Sequence, residues 1–139
     1  MKKIYFIFIV FLLFSCSHRK ENKEKKPVNE DTEVRMDEFM HDFGTIKSGE
    51  IVVYNFTFIN SGSADLTIKN AEADCGCVTV QIPENVIKPG GKGKIEVQFD
   101  SSGLFGKELK TIDLDWNCKE PKQLVIFATV ENDDIEIIY

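Results

Sequence analysis

The sequence predicts an all-β domain, an immunoglobulin-like β-sandwich of about seven antiparallel strands, preceded by a signal peptide and a disordered tether. Three observations carry that expectation. Beyond residue 39 the apolar side chains recur at every second position, the period of a half-buried strand. Turn chemistry separates the runs, at Asn60-Ser61-Gly62-Ser63, Lys88-Pro89-Gly90-Gly91 and Ser101-Ser102-Gly103. No helical 3.6-residue apolar pattern appears after the first fifteen residues. At 139 residues the chain has room for one such domain.

The first element is Lys2-Lys3, an apolar run from Ile4 to Phe14, and Ser15-Cys16. Positive start, short apolar stretch and small residue at the cut are the layout of a secretory signal over residues 1–15. Eleven helical residues reach about 17 Å against a hydrocarbon core of roughly 30 Å, too short to span. Leu13-Phe14-Ser15-Cys16 resembles the lipobox of bacterial lipoprotein signals, in which the cysteine sulfur takes a diacylglyceryl group and the new amino terminus is acylated. Cys16 is therefore the expected lipidation site. Several buried acyl chains hold a protein stably to a bilayer, at about 0.8 kcal/mol per CH₂.

Residues 16–38 read as the lipidated cysteine and a charged tether. From Ser17 to Glu38 six Lys/Arg meet seven Asp/Glu, and Val28, Val34 and Met36 are the larger apolar side chains. Such a stretch buries too little to offset its ordering entropy. Residues 39–139 then carry nine Lys, no Arg and sixteen Asp/Glu, a net of minus seven with His neutral. Clustered cations for phosphate are missing, which argues against nucleic acid.

The domain is placed at residues 39–131, with strands near 39–43, 51–60, 65–74, 77–82, 93–100, 107–116 and 122–131. Val52, Tyr54, Phe56 and Phe58 share one face of the second strand. Ile95, Val97 and Phe99 share one face of the fifth, Ile112, Leu114 and Trp116 of the sixth, and Leu124, Ile126, Ala128 and Val130 of the last. Seven short strands in about ninety residues suit a sandwich, with a small closed barrel as the alternative. Residues 132–139 form an acidic tail or, from the alternation of Ile135, Ile137 and Tyr139, a short edge strand.

Chemistry-bearing residues are few. His18 lies in the tether, so a His-dependent catalyst would need His41, which reads as a surface residue of the first strand. Phosphate loops, nucleophile elbows and His-Glu-x-x-His patterns are missing, and no small-molecule substrate is implied. With Cys16 assigned to lipid, Cys75, Cys77 and Cys118 remain, an odd number in an oxidising compartment. On a regular strand Cys75 and Cys77 would have Cα atoms about 6.7 Å apart, at the outer limit for a disulfide, so closing the pair needs a kink at Gly76. Structural or disulfide use, including a bridge to Cys118, is the leading expectation. The alternative is an open pincer for Cu(I) or Zn²⁺, with a third ligand from Cys118 or His41.

Phe39-Met40-His41-Asp42-Phe43-Gly44-Thr45-Ile46, Phe56-Thr57-Phe58-Ile59-Asn60-Ser61-Gly62, Leu66-Thr67-Ile68, Cys75-Gly76-Cys77, Lys88-Pro89-Gly90-Gly91, Ile95-Glu96-Val97-Gln98-Phe99 and Gly106-Lys107-Glu108-Leu109-Lys110 follow one another in order. This series, over about residues 38–131, resembles domain-of-unknown-function family 1573. The resemblance implies a lipid-anchored protein of Gram-negative bacteria with an immunoglobulin-like sandwich of the major-sperm-protein, PapD and Hydin type. It implies no assigned activity. Where that family carries Ser-Asn, this chain has Trp116-Asn117 followed by Cys118, and the resemblance gives Cys118 no role.

The expected function is a non-catalytic envelope lipoprotein that binds or scaffolds another envelope protein, with an edge strand as docking element. It would sit on the periplasmic side of the outer membrane. A periplasmic metal- or thiol-handling protein using Cys75 and Cys77 is the alternative.

Overall fold

A computed structural model describes residues 31–132. The signal, Cys16, most of the tether and residues 133–139 of the tail lie outside the described residues.

Two four-stranded sheets face each other. The first is ordered β1 (Val34–Met36), β3 (Ile51–Asn60), β6 (Lys92–Asp100), β5 (Val78–Gln81), and its pairings are antiparallel. The second is ordered β2 (Met40–Lys47), β8 (Gln123–Glu131), β7 (Gly106–Trp116), β4 (Ile68–Ala73). The core lies between them, because alternation aims one side chain in two inward. Phe56 and Phe58 of β3, Ile95, Val97 and Phe99 of β6, Ile112, Leu114 and Trp116 of β7, and Leu124, Ile126, Ala128 and Val130 of β8 are all buried. The inward faces expected from the sequence are the inward faces observed.

The sandwich departs from the expected one in three places. It has eight strands, and β2 runs parallel to β8, Met40 opposite Val125 and Ile46 opposite Val130. The chain enters the second sheet on β2 and crosses through Ser48-Gly49 to β3 of the first, so β2 borders the last strand instead of a hairpin neighbour. Second, β2 continues past Gly44 to Lys47. Gly44 has φ +70°, a conformation glycine adopts without a Cβ penalty, and the register slips between Asp42 and Thr45. The glycine makes a bulge inside the strand.

Third, the tether boundary at residue 38 falls too late. Val34–Met36 pair with Phe58–Asn60, and Thr32 forms a bridge to Cys118. Strand pairing with β3 satisfies the main chain of this charged stretch, which its composition could not reveal. Thr32 is buried and so is Asn60, whose side chain fills all its hydrogen-bonding capacity. Asn60 Nδ2 donates to the carbonyls of Ala64 (2.8 Å) and Ile87 (2.9 Å), and Oδ1 accepts from Thr32 Oγ1 (2.8 Å) and Gly62 N (3.2 Å). That knot ties β1, the β3–β4 connection and the β5–β6 connection together at one end of the sandwich.

Candidate functional site

One side of the sandwich is open along β3. Since β1 covers Phe58–Asn60, the main chain from Ile51 to Thr57 has no strand beside it there among the described residues. Ile51 and Val53 point outward along this edge and are 57% and 48% exposed. An apolar edge with unpaired N–H and C=O groups is a template for pairing with another extended chain. Behind it the ring of His41 lies flat on Tyr54, centroids 3.5 Å apart and 9° from parallel. Phe43 meets His41 edge-on at 4.8 Å, and Phe56 meets Tyr54 edge-on at 4.9 Å. The Tyr54 hydroxyl donates to Glu38 Oε1, and His41 Nδ1 lies 3.7 Å from the same oxygen. His41 faces inward on β2 and closes the gap between the sheets as a ring, a packing role in place of the surface position expected for it.

On the opposite side the chain passes from β4 to β5 through Cys75-Gly76-Cys77. The two sulfurs are bonded to each other, with Cα atoms 5.3 Å apart. The chain bends at Gly76 enough to bring the pair within bonding range, and the open metal pincer is not what forms. Hydrogen bonds hold the chain on both flanks. Asp74 N donates to Thr111 O (3.0 Å), Asp74 Oδ2 accepts from Thr111 N (3.0 Å) and Oγ1 (3.2 Å), and Asp100 N donates to Cys77 O (2.9 Å). Closing a loop this short constrains the unfolded chain by only about 1.6 kcal/mol, roughly half the effect of a fifteen-residue loop.

Register separates the other candidates from this pair. Ala73 lies opposite Ile112, which places Cys75 across from Lys110. Lys110 lies opposite Ile126, and Ile126 opposite His41. His41 is thus three strand spacings from Cys75, about 14 Å, too far to share a metal. Cys118 is beyond the far end of β7, eight positions past Lys110, and is a buried free thiol 3.1 Å from Glu120 O. It neither bridges Cys75 or Cys77 nor completes a ligand set with them. No group of three or more His, Cys, Asp or Glu among the described residues converges as metal ligands would.

Two features escaped sequence reasoning. Glu108 and Lys110 point to the inner side of β7 and form an ion pair of 2.8 Å, 17% and 16% exposed. The alternation that turns Ile112 and Leu114 inward extends back to them, and that parity was the available signal. The uncovered edge of β3 had no signal, because pairing partners are not written in a strand's own residues.

A family model described as protein of unknown function, DUF1573, matches residues 34–130. Among solved structures, the chain is similar to a protein of unknown function from Porphyromonas gingivalis W83, with TM-score 0.60 and 17% identity. That match covers 79% of this chain and 51% of the other, so the chain spans about half of that protein's length. The ASH/PapD-like domain 7 of human CEP192 superposes with TM-score 0.55 and 14% identity, covering 81% and 93% of the two chains. The YadV chaperone does so with TM-score 0.50 and 12% identity, covering 76% and 55%. At these identities the likeness shows the fold alone. No curated protein matches the chain in sequence.

Proposed function

The chain belongs to the DUF1573 family, and from that premise we propose that it is a non-catalytic, lipid-anchored envelope protein whose sandwich binds an extended segment of another envelope protein. The observation that carries the reading is the uncovered main chain of β3 from Ile51 to Thr57, flanked by exposed Ile51 and Val53. A partner strand laid there gains main-chain hydrogen bonds and buries two apolar side chains, the mode of strand addition to a sheet edge. The PapD-like fold shared with a chaperone supports a binding role. Among the described residues no acid, base and nucleophile converge, and His41 is stacked on Tyr54. Anchoring comes from acylated Cys16, with the domain on the periplasmic face of the outer membrane. The net negative charge beyond residue 39 gives no attraction to nucleic acid.

Two experiments test this. A photo-crosslinking amino acid at Val53, in the full chain expressed in its own envelope, yields a discrete adduct, whereas the same label at Gln81 on β5 yields none. Ile51→Lys in the Val53-labelled chain removes the adduct while the domain stays folded. Equal labelling at both sites, or an adduct indifferent to Ile51→Lys, refutes edge docking. Metabolic labelling with an alkyne fatty acid marks the wild type and leaves Cys16→Ser unmarked. A wild type without label refutes the anchor.

A further inference from the structure

We propose that Cys75–Cys77 is an exchangeable disulfide, opened and reclosed in the folded domain by an exported dithiol protein, so that the β4–β5 crossover is a thiol–disulfide exchange site. Three observations support it, none of which depends on docking at β3. The bond joins residues two positions apart, so the loop it closes is too short for the bond to restrain the chain much. The crossover is held on both flanks without it, through Asp74 to Thr111 on the side of β7 and through Cys77 to Asp100 on the side of β6. The backbone between the two cysteines also faces solvent. Gly76 is exposed and a Cβ added there would meet no atom within 4 Å, while Cys75 and Cys77 are half-buried against the edge of the core. A disulfide whose role were to hold the fold would link distant segments, and this one links a segment already pinned at each end.

The exchange balances as follows. A thiolate of the incoming dithiol attacks one sulfur of the Cys75–Cys77 bond, forming a mixed disulfide and releasing the other cysteine as a thiolate that takes up a proton. The second thiol of the incoming protein loses its proton and attacks the mixed disulfide. The incoming pair leaves oxidised, and Cys75 and Cys77 hold two electrons and two protons. The reverse sequence reoxidises them, with both sulfurs kept near each other by the flanking hydrogen bonds. Cys118 takes no part, because it is buried and beyond the far end of β7.

The test uses the full-length protein in detergent, with reduced thioredoxin as the dithiol probe, followed by iodoacetamide without denaturant and peptide mapping. The expected result is alkylation of both Cys75 and Cys77, an unmodified Cys118, and an unchanged near-ultraviolet dichroism signal from buried Trp116. A thioredoxin variant lacking its second cysteine should accumulate as a mixed disulfide at Cys75 or Cys77, and Cys75→Ser/Cys77→Ser should abolish that adduct while retaining the Trp116 signal. The proposal is overturned if Cys75 and Cys77 react only in denaturant. It is equally overturned if reduction exposes Cys118 or erases the Trp116 signal, since the bond would then be holding the fold.

Discussion

Thr32 Oγ1 donates to Asn60 Oδ1 at 2.8 Å inside the protein, joining a residue from the charged amino-terminal stretch to the last residue of β3. The contact spans 28 positions and leaves the Asn60 amide with two donors and two acceptor sites filled. Thr32 N also donates to Asn117 O, at 2.8 Å, so the same residue reaches both sheets. A buried amide with every partner present rigidifies its surroundings, and one with a partner missing is costly.

Asn60→Ala should therefore lower stability by about 3 kcal/mol, since it removes four hydrogen bonds at once, to the carbonyls of Ala64 and Ile87 and from the Thr32 hydroxyl and Gly62 N. Thr32→Val removes one donor, the hydroxyl that lies 2.8 Å from Asn60 Oδ1 and 3.2 Å from Ala64 O, and should cost about 1 kcal/mol. Urea unfolding of each variant checks the ranking. Equal losses would mean that Asn60 is not the centre of the knot.

The position of the domain start gives a second prediction. A soluble chain beginning at Asp31 should unfold at clearly higher urea than one beginning at Asp37. The shorter form loses buried Thr32 and the half-buried Val34 and Met36, worth about 2–4 kcal/mol together. Identical midpoints would restore residue 38 as the boundary.

Gly93 of β6 lies opposite Phe58, and a Cβ there would approach the Phe58 ring at 2.4 Å and Ile87 Cδ1 at 2.6 Å. Gly93→Ala should destabilise by about 1–3 kcal/mol through overpacking. Phe58→Leu in the same chain should return part of that loss, and a double-mutant cycle measures the coupling. A coupling of zero would show that the backbone shifts to make room.

Asp100 supplies the pH prediction. Hydrogen bonds from the Ser102 side chain and from Ser102 N, the latter at 2.9 Å, hold its carboxyl below the ordinary value of 3.8. A folded-state pKa below the unfolded one favours the fold above the unfolded value. That contribution is lost as pH falls through the folded value. Carbon-detected titration should place the Asp100 midpoint under 3.8, and Ser102→Ala should raise it. A midpoint unmoved by Ser102→Ala would remove the side-chain contribution.

Much of the domain was legible because period-two alternation is a local property. β3, β6, β7 and β8 declared their apolar faces, and Pro89-Gly90 and Ser102-Gly103 marked where runs end. Even the inward Glu108 and Lys110 obey that parity, although their charge disguises it. β1 was hidden because Val34 and Met36 sit among charges, and a three-residue strand offers too little alternation to register. At the cysteine pair, spacing alone left open whether Gly76 would bend the chain to bonding distance.

The sequence by itself determined which side of each main strand faces the core, and hence an all-β sandwich, because side-chain direction alternates with position whatever the neighbour. The tertiary structure decided which strands are neighbours. It set β2 parallel to β8, left seven residues of β3 uncovered, closed Cys75 on Cys77 and carried Cys118 away from both. Main-chain hydrogen bonds are the same for every residue, so pairing is selected by the packing of the whole core, which no single segment encodes.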